Sequence, residues 1–501
     1  MKKRILSALL AALLFLSVVP GAFAGELTAA QQLELLQETQ TLIRDYGLES
    51  SAEDEPLARA LLALLSQVPE EDALLRSLEA DPTLYEALLA VMLSGYDSHT
   101  MYLPAGTYSA AFGTESAYVG IGITMQAHEK GALVTDLNLR GPAFAAGLHV
   151  GDLLTAADGQ SLAGRTAAEI SQLLRGEEGT VLSLTVEREG QRLSFTLTRA
   201  AVSQSNYFGA PLEEGILYMK WSRIQEEGGS YLPFRLQLAQ AAREGRQALI
   251  LDLRDNPGGS LDLAFTLATD FMDEAKAFFR TRSRNMLGRE PLKTEYIISD
   301  GTGIRFPHLY VLVNEGSASA AEIIAVSLRD GAGAVLVGQT TYGKGRAQQH
   351  YVLDTDARIV LTTMMLLPLE GEDYEGVGIT PQVEAVNTPL PAQKVERVPE
   401  TTPLALSSCS DNGEALNRAL LALGLLDGLP EKPYQVTGDT LAACRRLEAL
   451  YLVPGAPEEP VGTDTLRLVN YLLAQLEQGQ YVRDDQLDAA LALAREALAA
   501  E

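Results

Sequence analysis

Residues 309–349 read LYVLVNEGSASAAEIIAVSLRDGAGAVLVGQTTYGKGRAQQ, and the division of this stretch into elements decides the fold. Residues 309–313 are a short apolar run, the pattern of a buried strand. Asn314-Glu315-Gly316 turns the chain, and Ser317-Ala318-Ser319 leads into a helical pattern over 320–328. A second buried strand is expected at 334–337, followed by a glycine-flanked loop that carries Lys344 and, four residues on, Gln348. A small hydroxyl residue at a strand-to-helix turn sits beside the free N–H groups of the helix, where a negative oxygen is stabilised. The lysine supplies a base-type group close behind. Either serine fits this description at the level of pattern.

Outward from this stretch, residues 215–390 alternate between strand and helix patterns, which predicts an α/β domain. A strand is expected at 216–221, an amphipathic helix at 230–244 and a buried strand at 248–253. The last of these runs into Arg254-Asp255-Asn256-Pro257-Gly258-Gly259-Ser260-Leu261. Gly258-Gly259 reads as a backbone turn whose N–H groups a substrate oxygen can approach closely. The same four letters, NPGG, also make an ordinary turn. Their place after a buried strand and before the Ser319 turn is what gives them weight.

From Tyr118 the period is that of strands. Gly141-Pro142-Ala143-Phe144-Ala145-Ala146-Gly147-Leu148-His149-Val150-Gly151-Asp152 implies tight turns around a short alanine-rich helix. A turn at Asp158-Gly159, a helix over 166–174 and strands at 181–188 and 191–197 follow. Together with Gly120-Ile121-Gly122-Ile123 this arrangement resembles a PDZ domain. The resemblance implies that an extended peptide adds a strand beside the sheet, its terminal carboxylate held by backbone N–H groups of residues 120–123. A small β-domain that only packs against its neighbour is the plainer alternative.

With 501 residues and 47% hydrophobic content, roughly two to four domains are expected. The net charge of −27 argues against nucleic acid, because phosphate binding needs clustered Lys and Arg. Lys2-Lys3-Arg4, an apolar stretch over 5–19 and Ala22-Phe23-Ala24 compose an export signal over 1–24, so an extracytoplasmic location, secreted or at the cell wall, is expected. Membrane attachment would require that signal to remain uncleaved, and its apolar run falls short of the ~20 residues that span a bilayer. Residues 25–112 read as a helical packing or dimerisation arm ending in a loop from about residue 95. Cys409 and Cys444 leave a disulfide open, and scattered histidines give no metal-ligand spacing, so neither a metal nor another cofactor is expected.

The blocks L-D-L-R-D-N-P-G-G at 251–259, G-S-A-S-A-A-E at 316–322 and Y-G-K-G-R-A-Q at 342–348 resemble the carboxyl-terminal processing proteases, the S41 serine peptidases. The resemblance implies Ser319, not Ser317, as nucleophile, Lys344 as general base and Gln348 as the residue that orients the lysine. It implies an oxyanion hole from the N–H of Gly258 or Gly259 and that of Ala320. A lysine acts as base only when neutral, so burial away from carboxylates is expected, whereas Glu322 reads as a helix-start carboxylate. His308 and His350 flank the region but sit in no triad-type motif. Ala321, Arg346-Ala347 and Gln382 depart from residues frequent in the family, away from the proposed catalytic atoms.

The fold expected is multidomain, α/β and α+β: a helical N-terminal arm, a PDZ domain over 113–200 and a catalytic core of ClpP/crotonase-like type over 201–390. A proline-rich linker over 391–407 leads to a helical domain over 408–501. Its repeated G-D-T and G-T-D-T helix starts resemble the three-helix peptidoglycan-binding domain of cell-wall enzymes, which would make peptidoglycan a partner. The function implied is an endopeptidase that captures proteins or peptides by free C-termini and that a bound peptide activates. An inactive scaffold binding tails and cell wall is the alternative, and a CoA-using crotonase-type enzyme is disfavoured by export and by the lack of a CoA site.

Overall fold

The computed structural model describes residues 29–48, 89, 93, 96–104, 106–108, 118–202, 206–226, 229–283, 292–353, 357–371, 373–400, 403–451 and 460–501. The expected export signal and most of the N-terminal arm lie outside the described residues; the arm contributes the helix Ala29–Tyr46.

The core is a six-stranded sheet in the order Tyr207–Glu213, Ile216–Trp221, Ala248–Asp252, His308–Val313, Val335–Gly338, Val383–Glu384. Its first pair is antiparallel and the rest parallel. Parallel strands are covered on both faces and therefore read as continuous apolar runs rather than alternating ones. Here the two faces separate residue by residue. Leu217, Met219, Leu249, Leu251, Val311 and Val313 join a cluster with the helices Tyr231–Arg243, Leu261–Thr269 and Ala320–Ala332. Tyr218, Ile250, Tyr310 and Leu312 face the other way, onto Leu487, Ala490, Leu491 and Ala494 of the helix Asp485–Ala499. The helix Asp485–Ala499, expected within a helical domain over 408–501, thus covers one face of the central sheet.

A second sheet carries the lysine segment. Arg346–Val352 pairs with Arg358–Pro368, which also pairs with Ala277–Ser283 and, near its start, with Met101–Leu103. That last strand lies in the segment expected to be loop. Three residues long, it is too short to stand out in sequence, and its pairing partner supplies its order.

The PDZ domain forms as expected, with a sheet in the order Ile123–His128, Gly131–Leu137, Leu153–Ala157, Val181–Arg188, Gln191–Thr198. Its helix Ala167–Leu174 starts with a capping box between Thr166 and Glu169. The three helices Asp411–Ala422, Gly438–Tyr451 and Thr463–Glu477 share one hydrophobic cluster with this domain. Tyr471 OH donates to Asp136 Oδ1 at 2.7 Å, and Arg467 to the Ala145 carbonyl at 2.8 Å. The linker is docked along the third of these helices: Val398 is buried and exchanges two backbone hydrogen bonds with the Asn470 amide. Cys409 is exposed, Cys444 is buried and both are free thiols; burial pushes the Cys444 thiol up to about 12.

Leu491 is 1% exposed between the last helix and the central sheet. Leu491→Ala is expected to cost about 2–5 kcal/mol, read as a lowered urea midpoint for the whole core. A loss below ~1 kcal/mol would mean the helix is not integral to it.

Candidate active site

Two turns are zipped together at the C-terminal ends of neighbouring strands. The first follows Ala248–Asp252 and the second follows His308–Val313, which pair in parallel register. Ala318 N–H donates to the Asn256 carbonyl at 2.9 Å. Asn314 Oδ1 accepts from Asp255 N–H, and Asn314 Nδ2 donates to Asp255 Oδ1, both at 2.9 Å. Gly258 lies at φ 95°, and a Cβ there would stand 2.8 Å from both Ser319 Cβ and Ala320 N. Only glycine allows this approach.

The two serines part company in this setting. Ser317 is fully buried; its hydroxyl donates to the Leu253 carbonyl at 2.8 Å and accepts from Asn314 N–H at 3.0 Å, which makes it a turn residue. Ser319 is partly exposed and sits at φ 55°, ψ −116° immediately before the helix Ala320–Ala332. Such a conformation costs a non-glycine residue roughly 1–3 kcal/mol and persists only where the surroundings hold it.

What holds it is Glu322. This carboxylate is 0% exposed and receives four donors: Ser319 N–H at 2.7 Å and Lys344 N–H at 2.8 Å on Oε2, Gly343 N–H at 2.7 Å and Thr341 Oγ1 at 2.5 Å on Oε1. Burial pushes its pKa up, and those hydrogen bonds oppose the shift. Since every partner donates, the acceptor-only ionised form fits the site. Besides its expected place at the helix start, Glu322 ties the serine turn to the lysine loop.

Lys344 is partly buried and makes no ion pair among the described residues. Burial pushes its pKa down, while Glu375, Asp97 and Glu322 push it back up. The expected separation from carboxylates is therefore not found. Glu375 Oε2 accepts from Gly345 N–H and its Oε1 meets His99 Nε2, both at 2.7 Å. Asp97 caps the turn that leads into Met101–Leu103. Neither carboxylate was signalled by sequence, because each reaches the lysine across a long gap in the chain. Gln348 does not bond Lys344 here: its amide nitrogen donates to the Arg346 carbonyl at 3.3 Å and to Thr362 Oγ1 at 3.2 Å.

Of the expected oxyanion donors, Gly258 N–H is taken by Asn256 Oδ1 at 2.9 Å. Gly259 and Ala320 N–H have no hydrogen-bond partner among the described residues. His308 meets Glu501 and His350 meets Tyr108, so neither histidine serves the serine. In the PDZ domain, Gly122 lies at φ 75° between the strands Tyr118–Gly120 and Ile123–His128, so residues 120–123 include the turn expected to hold a carboxylate. The carbonyls of Ile121 and Gly122 are bonded by Ala143 and Asn138 N–H, and the loop's own Ile121 and Gly122 N–H groups have no partner among the described residues. The strand Ile123–His128 that follows is a sheet edge.

Residues 215–385 match the profile of peptidase family S41 and residues 119–198 that of the PDZ domain. The chain thus carries an S41 peptidase domain behind a PDZ domain. Among its relatives is a probable CtpA-like serine protease of Staphylococcus haemolyticus, 28% identical over 61% of this chain. Another, from Staphylococcus aureus strain RF122, is 29% identical over 66% of it. The alignments span 60% and 64% of those two proteins. A solved photosystem II D1 C-terminal processing protease aligns with 71% of this chain and 93% of its own at 21% identity and a TM-score of 0.45.

Glu322→Gln would place an amide NH2 against two N–H donors. It is expected to cost roughly 2–4 kcal/mol and to loosen the 341–345 loop, read by thermal melting and amide exchange. Unchanged exchange in that loop would refute the tie.

Proposed function

We propose that the chain is an exported serine endopeptidase that recognises C-terminal tails of protein substrates through its PDZ domain and cleaves with Ser319, Lys344 and Gln348. The observation that carries this reading is the shared carboxylate of Glu322, which receives the Ser319 and Lys344 N–H groups together. Ser319 Oγ attacks the scissile carbonyl, and neutral Lys344 takes its proton. The tetrahedral oxygen is received by the N–H groups of Gly259 and Ala320, an arrangement whose loss of one donor typically costs about 10²–10³ in rate. The lysine then protonates the leaving amine, and water hydrolyses the acyl-enzyme by the same route in reverse.

The carboxylates near Lys344 and the engagement of Gln348 by Thr362 support a resting state that is not fully aligned. Peptide bound beside Ile123–His128 completes it by bringing Gln348 to the lysine amine. A PDZ-binding peptide is accordingly expected to speed cleavage of an unrelated substrate; absence of stimulation counts against the gate. The three-helix region's likeness to cell-wall-binding domains leaves peptidoglycan as a proposed partner, tested by co-sedimentation of the intact protein with purified sacculi.

Ser319→Ala and Lys344→Ala are each expected to lower kcat by at least ~10³-fold on an unfolded protein, with folding retained. Because the base form of lysine is populated above its pKa, activity rises with pH through a pKa below the ordinary ~10.4. Glu375→Gln removes a charge that favours the ammonium form, so this rising limb shifts to lower pH. A limb unmoved in Glu375→Gln, or wild-type rates in either alanine variant, contradicts the assignment.

A further inference from the structure

The last helix meets the segment leading into the Gly258-Gly259 turn at its N-cap. Asp484 is the N-cap of Asp485–Ala499 and accepts from Leu487 N–H at 3.0 Å. The same carboxylate grips Arg254 in a two-pronged contact, Nη1 to Oδ1 and Nη2 to Oδ2, the latter at 2.9 Å. Gln486 Oε1 accepts from Nη1 at 3.2 Å. On its other side the guanidinium bonds Asp252, at 3.0 Å through Nε and 2.7 Å through Nη2. Asp252 is 0% exposed and also receives Tyr218 OH at 2.6 Å.

Arg254 stands two residues before Asn256, whose side chain donates to the Trp221 carbonyl at 2.8 Å and accepts from Gly258 N–H at 2.9 Å. Only Asp255 lies between, at φ 58° and pinned by Asn314. The Gly258-Gly259 turn is flanked on its far side by Ile224, whose N–H donates to the Gly258 carbonyl at 2.9 Å and whose carbonyl accepts from Ser260 N–H at 2.7 Å, while its entry is set by Asn314 on the serine side and the Arg254 fork on the other. A buried guanidinium that loses one of two carboxylates is left undercompensated and must shift toward water or the remaining partner. Either movement is passed along Asp255-Asn256-Pro257 to the turn.

We propose that Asp484 is a positioning residue for the oxyanion turn, so that the C-terminal helix completes the active site as well as covering the sheet. The proposal rests on the endopeptidase reading for its kinetic consequence but not for its structural one. Truncating the chain before this helix is then expected to remove activity along with any cell-wall binding, so truncation cannot separate the two.

The test uses the full chain with point variants. Asp484→Asn retains a good N-cap but loses the charge and one acceptor for the Arg254 fork. It is expected to lower kcat roughly tenfold while KM changes less than about twofold, as for a group acting on the transition state. Asp484→Glu, which keeps the charge, is expected to fall between this variant and wild type. Asp488→Asn on the same helix, which breaks a partly exposed pair with Arg446, is expected to leave kcat unchanged. A kcat for Asp484→Asn indistinguishable from that of Asp488→Asn overturns the proposal. Hydrogen exchange at residues 256–260 decides the structural part independently of cleavage. Faster exchange in Asp484→Asn than in wild type and Asp488→Asn supports the clamp, even if no substrate is cut and the peptidase reading falls. Equal exchange in all three overturns it.

Discussion

The carboxylate of Glu322 is buried within a helix start and faces four donors drawn from two separate segments of chain. Burial alone would favour its neutral form, yet a carboxyl surrounded only by donors is satisfied best when ionised. The cost of desolvating that charge is offset only while all four donors stay in place, so the serine turn and the lysine loop are held jointly. The strained backbone of Ser319 belongs to the same bargain: its N–H is fixed by Glu322, and the helix behind it is almost wholly buried. Lys344 is brought beside that turn by its backbone rather than by its amine, which leaves the amine free of ion pairs among the described residues.

Around this pair the two sheets have distinct tasks. The parallel sheet ends in the Asn256–Gly259 and Asn314–Ser319 turns side by side, and the parallel register of their strands sets the spacing between them. The second sheet carries Gln348 on the strand next to the lysine loop and receives Met101–Leu103 at its edge. Asp97 and Glu375 enter by this second route. The balance between burial and nearby negative charge at Lys344 is thus set by three segments far apart in sequence, so small movements of any of them alter how readily the lysine loses its proton.

The buried strands, the glycine turns and the helix after Ser319 were legible because each carries a local signal: continuous apolar runs, positive-φ glycines, a helical period. The PDZ domain was legible for the same reason, down to the Asp158-Gly159 turn, where both residues take positive φ. What sequence could not supply was pairing across distance. Nothing in Asp485–Ala499 distinguishes a helix that joins its preceding three from one that lies on a sheet more than a hundred residues earlier, because amphipathic periodicity marks an apolar face but not its partner. Ser317 and Ser319 likewise look alike in sequence and differ only in what the Leu253 carbonyl and Glu322 do to them. Gln348 was placed on the lysine by resemblance, whereas in this structure Thr362 holds it.

The activity proposed for this chain requires one serine hydroxyl, that of Ser319, to be activated by one neutral lysine, Lys344. The most direct measurement is covalent labelling by a serine-directed fluorophosphonate, mapped by peptide mass spectrometry in wild type and in Lys344→Ala across a range of pH. A single adduct on Ser319, forming faster as pH rises in wild type and nearly absent without Lys344, is the predicted result. An adduct on Ser317, or labelling of Ser319 at the same rate without the lysine, would contradict it.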